Sequence, residues 1–139
     1  MMSFKAFEVN IIQPCTVLTY NNLGEEFFGL FEESLLEKGK LTVIVKAARE
    51  YGNIQLLFSI VGAVVLVCDR SMETFNYPIH MERNVTFKLG KENRELTADL
   101  YTIEQKNETI NIAQHIYDFV SLEVPMKKLH PRFCNHDVL

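Results

Sequence analysis

The residues best suited to chemistry stand at one sharp corner between two apolar segments. Cys68, Asp69 and Arg70 bring a thiol, a carboxylate and a guanidinium together, and Ser71 follows directly. A structural zinc site commonly takes two of its four ligands from a C-x2-C knuckle. The second knuckle position here is Ser71, whose hydroxyl is a poor zinc ligand beside a thiolate. The corner alone therefore does not predict a metal site.

The C-terminal tail holds further candidate metal ligands. His130, Cys134 and His136 lie close together in sequence, and Cys68 would complete a set with them. The alternative interpretation is a buried thiol at a strand end, with solvent-exposed histidines in the tail. We favour this alternative because Ser71 interrupts the knuckle. We therefore predict that the protein uses no metal and no other cofactor.

Nucleophilic catalysis needs a cysteine or serine within reach of a histidine and an orienting group. Cys68, Asp69 and His80 have the right types, but nothing in their spacing assembles them. The sequence also has no G-x-S-x-G elbow, no P-loop and no G-x-G-x-x-G. One run of carboxylates is typical of a solvated helix face: Glu25, Glu26, Glu32 and Glu33. We therefore predict that the protein is not an enzyme.

Basic side chains are the remaining candidates, for contacts with RNA or another partner. The net charge is −4, so no overall positive field attracts nucleic acid or anionic lipid. Phosphate contacts need only a local basic patch. The best such cluster combines the corner with the tail: Arg70, Lys127, Lys128, His130 and Arg132. The alternative is a solvated, mildly basic terminus, and we predict no DNA partner.

Composition bounds the domain organisation and the compartment. A chain of 139 residues predicts one domain over residues 1–139, with a short basic tail at 126–139. Three widely spaced cysteines without an N-terminal apolar leader indicate reduced thiols and a cytoplasmic protein. The longest apolar run, Leu56 to Val67, is much shorter than the roughly 20 residues of a membrane span. We therefore predict a buried strand there and no membrane partner.

Alternating apolar residues predict most of the elements that position the corner. They indicate a first strand over residues 4–13, strands starting at Leu41 and at Ile54, a return strand Phe75 to Ile79, and two later strands. Gly62 suggests a bulge or bend in the long central strand, and Pro78 suggests an edge or bulge. The order predicts an α+β fold, with a curved antiparallel β-sheet or open β-barrel-like sheet packed by two α-helices.

The two predicted helices each begin with a capping-box pattern. Asn22 with Glu25 opens the first, which would run through Leu35 and end at Gly39. Asn111 with Gln114 opens the second, which Pro125 would stop. Residues at helical spacing form its apolar face: Ile112, Ile116, Phe119 and Val120.

The corner and the C-terminal segment also resemble a known family. Cys68-Asp69-Arg70, followed by Phe75 and by Pro78-Ile79, resembles the C-x-R-C corner of the YceD family. The ending from Ile110 to Pro131 is similar to that family's Ile-Asn-Leu helix and its Leu-Pro-x-x-x-x-His segment. Cys68, Arg70, Pro125 and His130 match the pattern, whereas Ser71 replaces the second corner cysteine and Val124 replaces a leucine.

The resemblance implies a role in ribosome biogenesis. Members of the family are small bacterial and plastid proteins needed for accumulation of large-subunit ribosomal RNA, and none is established as an enzyme. The resemblance therefore implies a non-enzymatic factor that binds large-subunit 23S rRNA or an assembling ribosomal protein. Two alternatives stay open: a protein–protein interaction module without RNA contact, and a metal-stabilised structural domain.

Overall fold

The computed structural model describes residues 3–11, 14–32, 34, 36–50, 52–90, 94–97, 100–104 and 109–125. In chain order the elements are a 3-10 helix (Phe4–Phe7), β1 (Glu8–Asn10), β2 (Cys15–Leu23), α1 (Glu25–Phe28), β3 (Gly39–Glu50), β4 (Asn53–Val67), β5 (Thr74–Gly90), β6 (Arg94–Thr97), β7 (Leu100–Glu104), β8 (Thr109–Asn111) and α2 (Ala113–Glu123). The predicted α+β class with two α-helices is therefore confirmed.

Six strands form the main sheet, in the order β2-β3-β4-β5-β7-β6, and β1 pairs with β8 in a small second sheet. The main sheet is not closed into a barrel, since its outer strands β2 and β6 are not paired with each other. The predicted antiparallel pairing holds throughout the main sheet except between β5 and β7, which run parallel. The chain folds back between β6 and β7, which places β7 between β5 and β6.

The long central hairpin of β4 and β5 is the frame of the fold. The predicted strand from Ile54 to Val67 is confirmed, with alternate side chains buried against the core. β5 is one continuous strand of 17 residues, so the prediction of two separate segments is wrong. Met81 is buried and pairs with Ile60, which continues the alternation through the expected gap. Pro78 lies where β5 pairs with β4 alone, in agreement with its predicted edge position.

Of the bulge or bend predicted at Gly62, the bulge is wrong. The pairing register runs through it without a shift on both sides of β4. Its φ of +149° is a conformation that side chains rarely adopt, and a Cβ atom there would collide with the carbonyl oxygen of Lys40. Glycine is thus required because β3 and β4 approach too closely for any side chain.

The first helix is much shorter than predicted. α1 ends at Phe28, and Gly39, the predicted residue after the helix, belongs to β3 and pairs with Val64. Asn22 lies in β2 with φ of +56°, so it does not cap the helix. Phe27 and Phe28 are both buried. The chain turns at Gly29, a residue with low helix propensity.

The second helix matches its prediction closely. Ile112 at its start and Ile116, Phe119 and Val120 within it are buried, and α2 ends two residues before Pro125. The capping box is replaced by a local turn, in which the Ala113 N–H donates to Asn111 Oδ1 at 3.0 Å. Within the described ranges, no helix is long and apolar enough to cross a membrane.

Candidate interaction surfaces

The predicted corner is the loop Cys68–Glu73 that joins β4 to β5. The Cys68 N–H donates to the Glu73 carbonyl at 2.8 Å, and the Met72 N–H donates to the Cys68 carbonyl at 2.9 Å. Met72 has a φ of +61°, which tightens the loop. The corner is therefore a fixed, hydrogen-bonded projection at one end of the sheet.

The Cys68 side chain points into the core. It is fully buried, as the favoured interpretation predicted, and its Sγ accepts a hydrogen bond from the Ser71 N–H at 3.4 Å. In the described ranges, no three histidine, cysteine, aspartate or glutamate side chains come together to hold a metal. The other members of the alternative ligand set, His130, Cys134 and His136, lie outside the described residues.

Arg70 is exposed at the corner, between two exposed carboxylates. Asp69 and Glu73 give the corner two negative charges against one positive charge, so its formal charge is −1. A guanidinium flanked by carboxylates suits a mixed-charge partner better than a row of phosphates. The other predicted basic residues, Lys127, Lys128, His130 and Arg132, lie outside the described residues. Pro125 is described and half-buried.

Two lysines missed by sequence reasoning lie at the corner end of the sheet. Lys38 and Lys40 flank the first residue of β3, and the Val65 N–H donates to the Lys38 carbonyl at 2.9 Å. With Asn76 they line a shallow depression of about 440 Å³. The sequence analysis placed the end of the first helix at Gly39, between these two lysines. Only the alternation of apolar residues in β3, extended toward the N-terminus, could have indicated a strand there.

An acidic groove of about 390 Å³ lies beside α1. Glu25, Glu32 and Glu37 line it together with the partly buried ring of Phe31. The hydroxyl of Ser34 donates to the Leu36 carbonyl at 2.6 Å. Two of the four carboxylates predicted as a solvated helix face, Glu25 and Glu32, thus border a groove whose negative charge would attract a cationic group.

The residues considered for nucleophilic catalysis are separated in the structure. His80 pairs with Val61 in the middle of the hairpin, and its exposed side chain faces away from the core. Cys68 is buried, and it lies seven residues beyond Val61 in the chain. Seven residues of β-strand span about 23 Å. The structure therefore does not bring Cys68 and His80 together.

His115 on α2 is a partly buried titratable group that sequence reasoning missed. Its ring lies edge-on to Tyr101 and Phe87, with ring centroids 5.0 and 5.7 Å apart. Burial lowers its pKa below the ordinary value, and the carboxylates of Asp118 and Glu95 oppose this shift. The aromatic surroundings indicate a packing role, because nothing polar in the described contacts positions the ring for proton transfer.

The two faces of the main sheet differ in what covers them. We call the face that carries Phe58 and Phe87 the core face, because α2 packs there through Phe119 and His115. We call the opposite side the open face. Along β4 it carries Leu57, Ser59, Val61, Ala63, Val65 and Val67. Val61 is 51% exposed and Val67 is 44% exposed, so the described residues leave this apolar row accessible.

Comparison with known proteins assigns the chain to a family. No curated protein and no solved structure gives a significant match to the sequence. The sequence profile of one family matches residues 56–139, which include most of β4, the corner, β5, α2 and the tail. Since the match covers more than half of the chain, the chain belongs to the YceD family, described as large ribosomal RNA subunit accumulation protein YceD.

Proposed function

We propose that this protein supports accumulation of large-subunit rRNA as a non-enzymatic factor, by binding the rRNA or an assembling ribosomal protein. The observation that carries the proposal is the family match over residues 56–139. The matched region contains the corner and the basic tail, which hold every residue that the sequence suggested for binding.

The corner end of the sheet is the proposed binding surface. Arg70 is exposed on the loop, and Lys38 is exposed beside the first residue of β3. β3 and β4 are antiparallel, so the start of β3 lies at the end of β4 that leads into the corner. A cation at each position, with the basic residues of the tail, would supply contacts to rRNA phosphates.

A protein partner is the second candidate, and the charge of the corner favours it. Asp69 and Glu73 flank Arg70 with two exposed carboxylates, which would repel phosphates but pair with lysine or arginine. The acidic groove beside α1 adds negative surface of the same kind. These features support a basic partner, such as an assembling ribosomal protein, without direct contact to RNA.

Depletion of the protein in its own cells tests the function. We expect the ratio of large- to small-subunit rRNA to fall and free large subunits to decrease on a sucrose gradient. Complementation with Arg70→Ala/Lys38→Ala should restore the ratio less than the wild type does. The matched control is Lys88→Ala, an exposed lysine that pairs with Asn53 at the far end of β4 and should restore it fully. An unchanged ratio on depletion would refute the proposed function.

Salt dependence distinguishes RNA from a protein partner. The probe is a labelled transcript of large-subunit rRNA, titrated with purified protein between about 50 and 200 mM salt. Direct RNA binding predicts steep loss of affinity with salt. Arg70→Ala/Lys38→Ala should then reduce the log–log slope by about 1.4, since each of two single-strand phosphate contacts contributes about 0.7. Absence of affinity at low salt, together with a fallen rRNA ratio in depleted cells, would assign the role to a protein contact.

A further inference from the structure

The open face of the main sheet is more apolar than a solvated face normally is. Antiparallel sheets with one wet side usually alternate apolar-in with polar-out. Along β4, however, five of the six outward residues from Leu57 to Val67 are apolar, and Ser59 is the exception. On the next strand Ile44 extends this surface, since it pairs with Ser59. A contiguous apolar surface of this kind marks an interaction site.

The charges that flank the apolar row differ between its two sides. On the β3 side, Lys40 and Lys46 are exposed. On the β5 side, Glu82 is exposed, with His80 beside it and Lys88 near the end of the strand. Lys46 and Glu82 thus form one pair of opposite charges on the two sides of β4, while Lys88 lies further along β5, opposite Asn53. A two-fold axis parallel to β4 would bring this pair together across the interface.

We propose that the open face is the interface of a homodimer, covered by the open face of a second copy related by such a two-fold axis. The row on β4 would then pack against the same row of the second copy, and β3 would lie over β5. Facing sheets pack about 10 Å apart, with mean strand directions within about 30° of each other. The result is a β-sandwich in which each copy provides one sheet.

The register of the sheet supports this arrangement. Lys46 pairs with Leu57, and Glu82 pairs with Ser59. Lys46 and Glu82 are therefore offset by two residues along the strand direction. That offset is about 7 Å, which a lysine side chain can span across the gap between the sheets. Because the axis is two-fold, the interface contains the contact between Lys46 and Glu82 of the second copy twice. Lys40 would lie over Pro78, with room to extend toward the rim.

The size of the face falls at the lower end of what a stable dimer needs. Three or four strands spaced about 4.8 Å apart, over about 35 Å of length, give roughly 500–670 Å² per copy. A standard interface buries about 600–1,000 Å² per partner. An RNA occupant fits less well, because the described part of the face carries no Phe, Tyr or Trp on which bases could stack. The proposal is independent of the proposed function.

Sedimentation velocity over about 1–100 μM tests the dimer. We expect a species of twice the 16.1 kDa chain mass. Val61→Glu places two carboxylates against each other near the axis and should weaken the dimer about 100-fold or more, with unchanged circular dichroism. The matched control is Leu122→Glu, an 81% exposed leucine on α2, which should remain dimeric. A monomeric wild type, or a Val61→Glu protein as dimeric as the wild type, would overturn the proposal.

A charge exchange tests the specific arrangement and avoids any change in the apolar row. Lys46→Glu should weaken the dimer about tenfold, because it places two carboxylates near each other at each contact. Lys46→Glu combined with Glu82→Lys restores opposite charges and should return the dissociation constant to near the wild-type value. If the double variant is as weak as Lys46→Glu alone, the two-fold arrangement is wrong.

Discussion

Gly62 shows how a single residue type controls the pairing of two strands. Its Cα faces the carbonyl oxygen of Lys40, and its φ is +149°. Gly62→Ala would add a clash to a strained backbone, so we expect the free energy of unfolding to fall by about 2–3 kcal/mol. Urea unfolding followed by circular dichroism measures this loss.

Gly52 provides the matched control, because a side chain there would add backbone strain without a steric clash. Its φ is +79°, and nothing lies within 4 Å of a Cβ built there. Gly52→Ala should therefore cost only about 1–2 kcal/mol, from the left-handed conformation. Equal losses in the two variants would show that the close approach of β3 to Gly62 contributes nothing.

His115 should make stability depend on pH. Burial among aromatic rings lowers its pKa in the folded state below the unfolded value of 6.5. The unfolded chain then binds a proton at a higher pH than the folded chain does, so stability rises with pH. The full contribution is present above pH 6.5 and is lost as the pH falls through the folded pKa. Asp118 and Glu95 reduce this loss because they favour the charged ring.

Urea midpoints between pH 5 and 8 test this prediction. His115→Phe keeps a planar ring and removes the titrating group, so its midpoint should fall less below pH 6.5 than that of the wild type. His80→Gln, which removes an exposed histidine, should follow the wild type. Parallel pH profiles of the wild type and His115→Phe would contradict the assignment.

At the scale of elements, α2 is held mainly by its apolar face. Phe119 is 8% exposed and meets Phe58 edge-on, with ring centroids 5.2 Å apart. Phe119→Ala should reduce the free energy of unfolding by about 3–5 kcal/mol. Leu122→Ala, on the outer side of the same helix, should change it by less than about 0.5 kcal/mol. Thermal or urea unfolding of both variants makes the comparison, and similar losses would refute this docking of α2.

The single ion pair described on α2 adds little by comparison. Arg83 of β5 donates to Glu123 at the end of the helix, and their side chains are 42% and 37% exposed. Exposed pairs of this kind contribute about 0.2–1 kcal/mol. The pair therefore fixes where the end of α2 lies against β5 more than it stabilises the helix.

The elements that were predicted correctly are those in which apolar residues recur at a regular, uninterrupted spacing. β4 and α2 have long runs of apolar residues at spacings of two and of three to four, and both were predicted within about two residues. The first helix was predicted too long because its apolar spacing continues past Gly29, where the chain leaves the helix and turns. The parallel pairing of β7 with β5 was also not predicted, because strand order depends on contacts between residues far apart in sequence.

The candidate surfaces could be predicted only in part, for the same reason. The corner could be predicted because Cys68 and Arg70 follow a long strand directly in sequence. The position of Lys38 could not be predicted, because the pairing of Gly39 with Val64 places it at the corner end of the sheet. The open face was equally hidden, because a row of outward residues cannot be told from a buried one until the covering elements are placed.

At the scale of the whole molecule, stability should be unequal across the sheet. β4 pairs with β5 along its whole length and with β3 from Asn53 to Val64. β6 pairs with β7 alone, over a short stretch. Amides in the middle of β4 should therefore exchange with solvent most slowly, and those of β6 among the fastest.

The N-terminal segment and α2 should open together, although they are far apart in sequence. Val9 of β1 pairs with Ile110 of β8, and the Ile112 N–H at the start of α2 donates to the Phe7 carbonyl at 2.9 Å. Val9 is fully buried, so Val9→Ala should cost about 2 kcal/mol. We expect native-state hydrogen exchange to quicken in both β1 and α2 by about 30-fold, since this energy is lost from their shared opening. Amides in the middle of β4 exchange only on global unfolding, and they should quicken by about the same factor, because Val9→Ala lowers the global free energy of unfolding as well. Faster exchange confined to β1 would show that α2 is held to the sheet independently of the N-terminal segment.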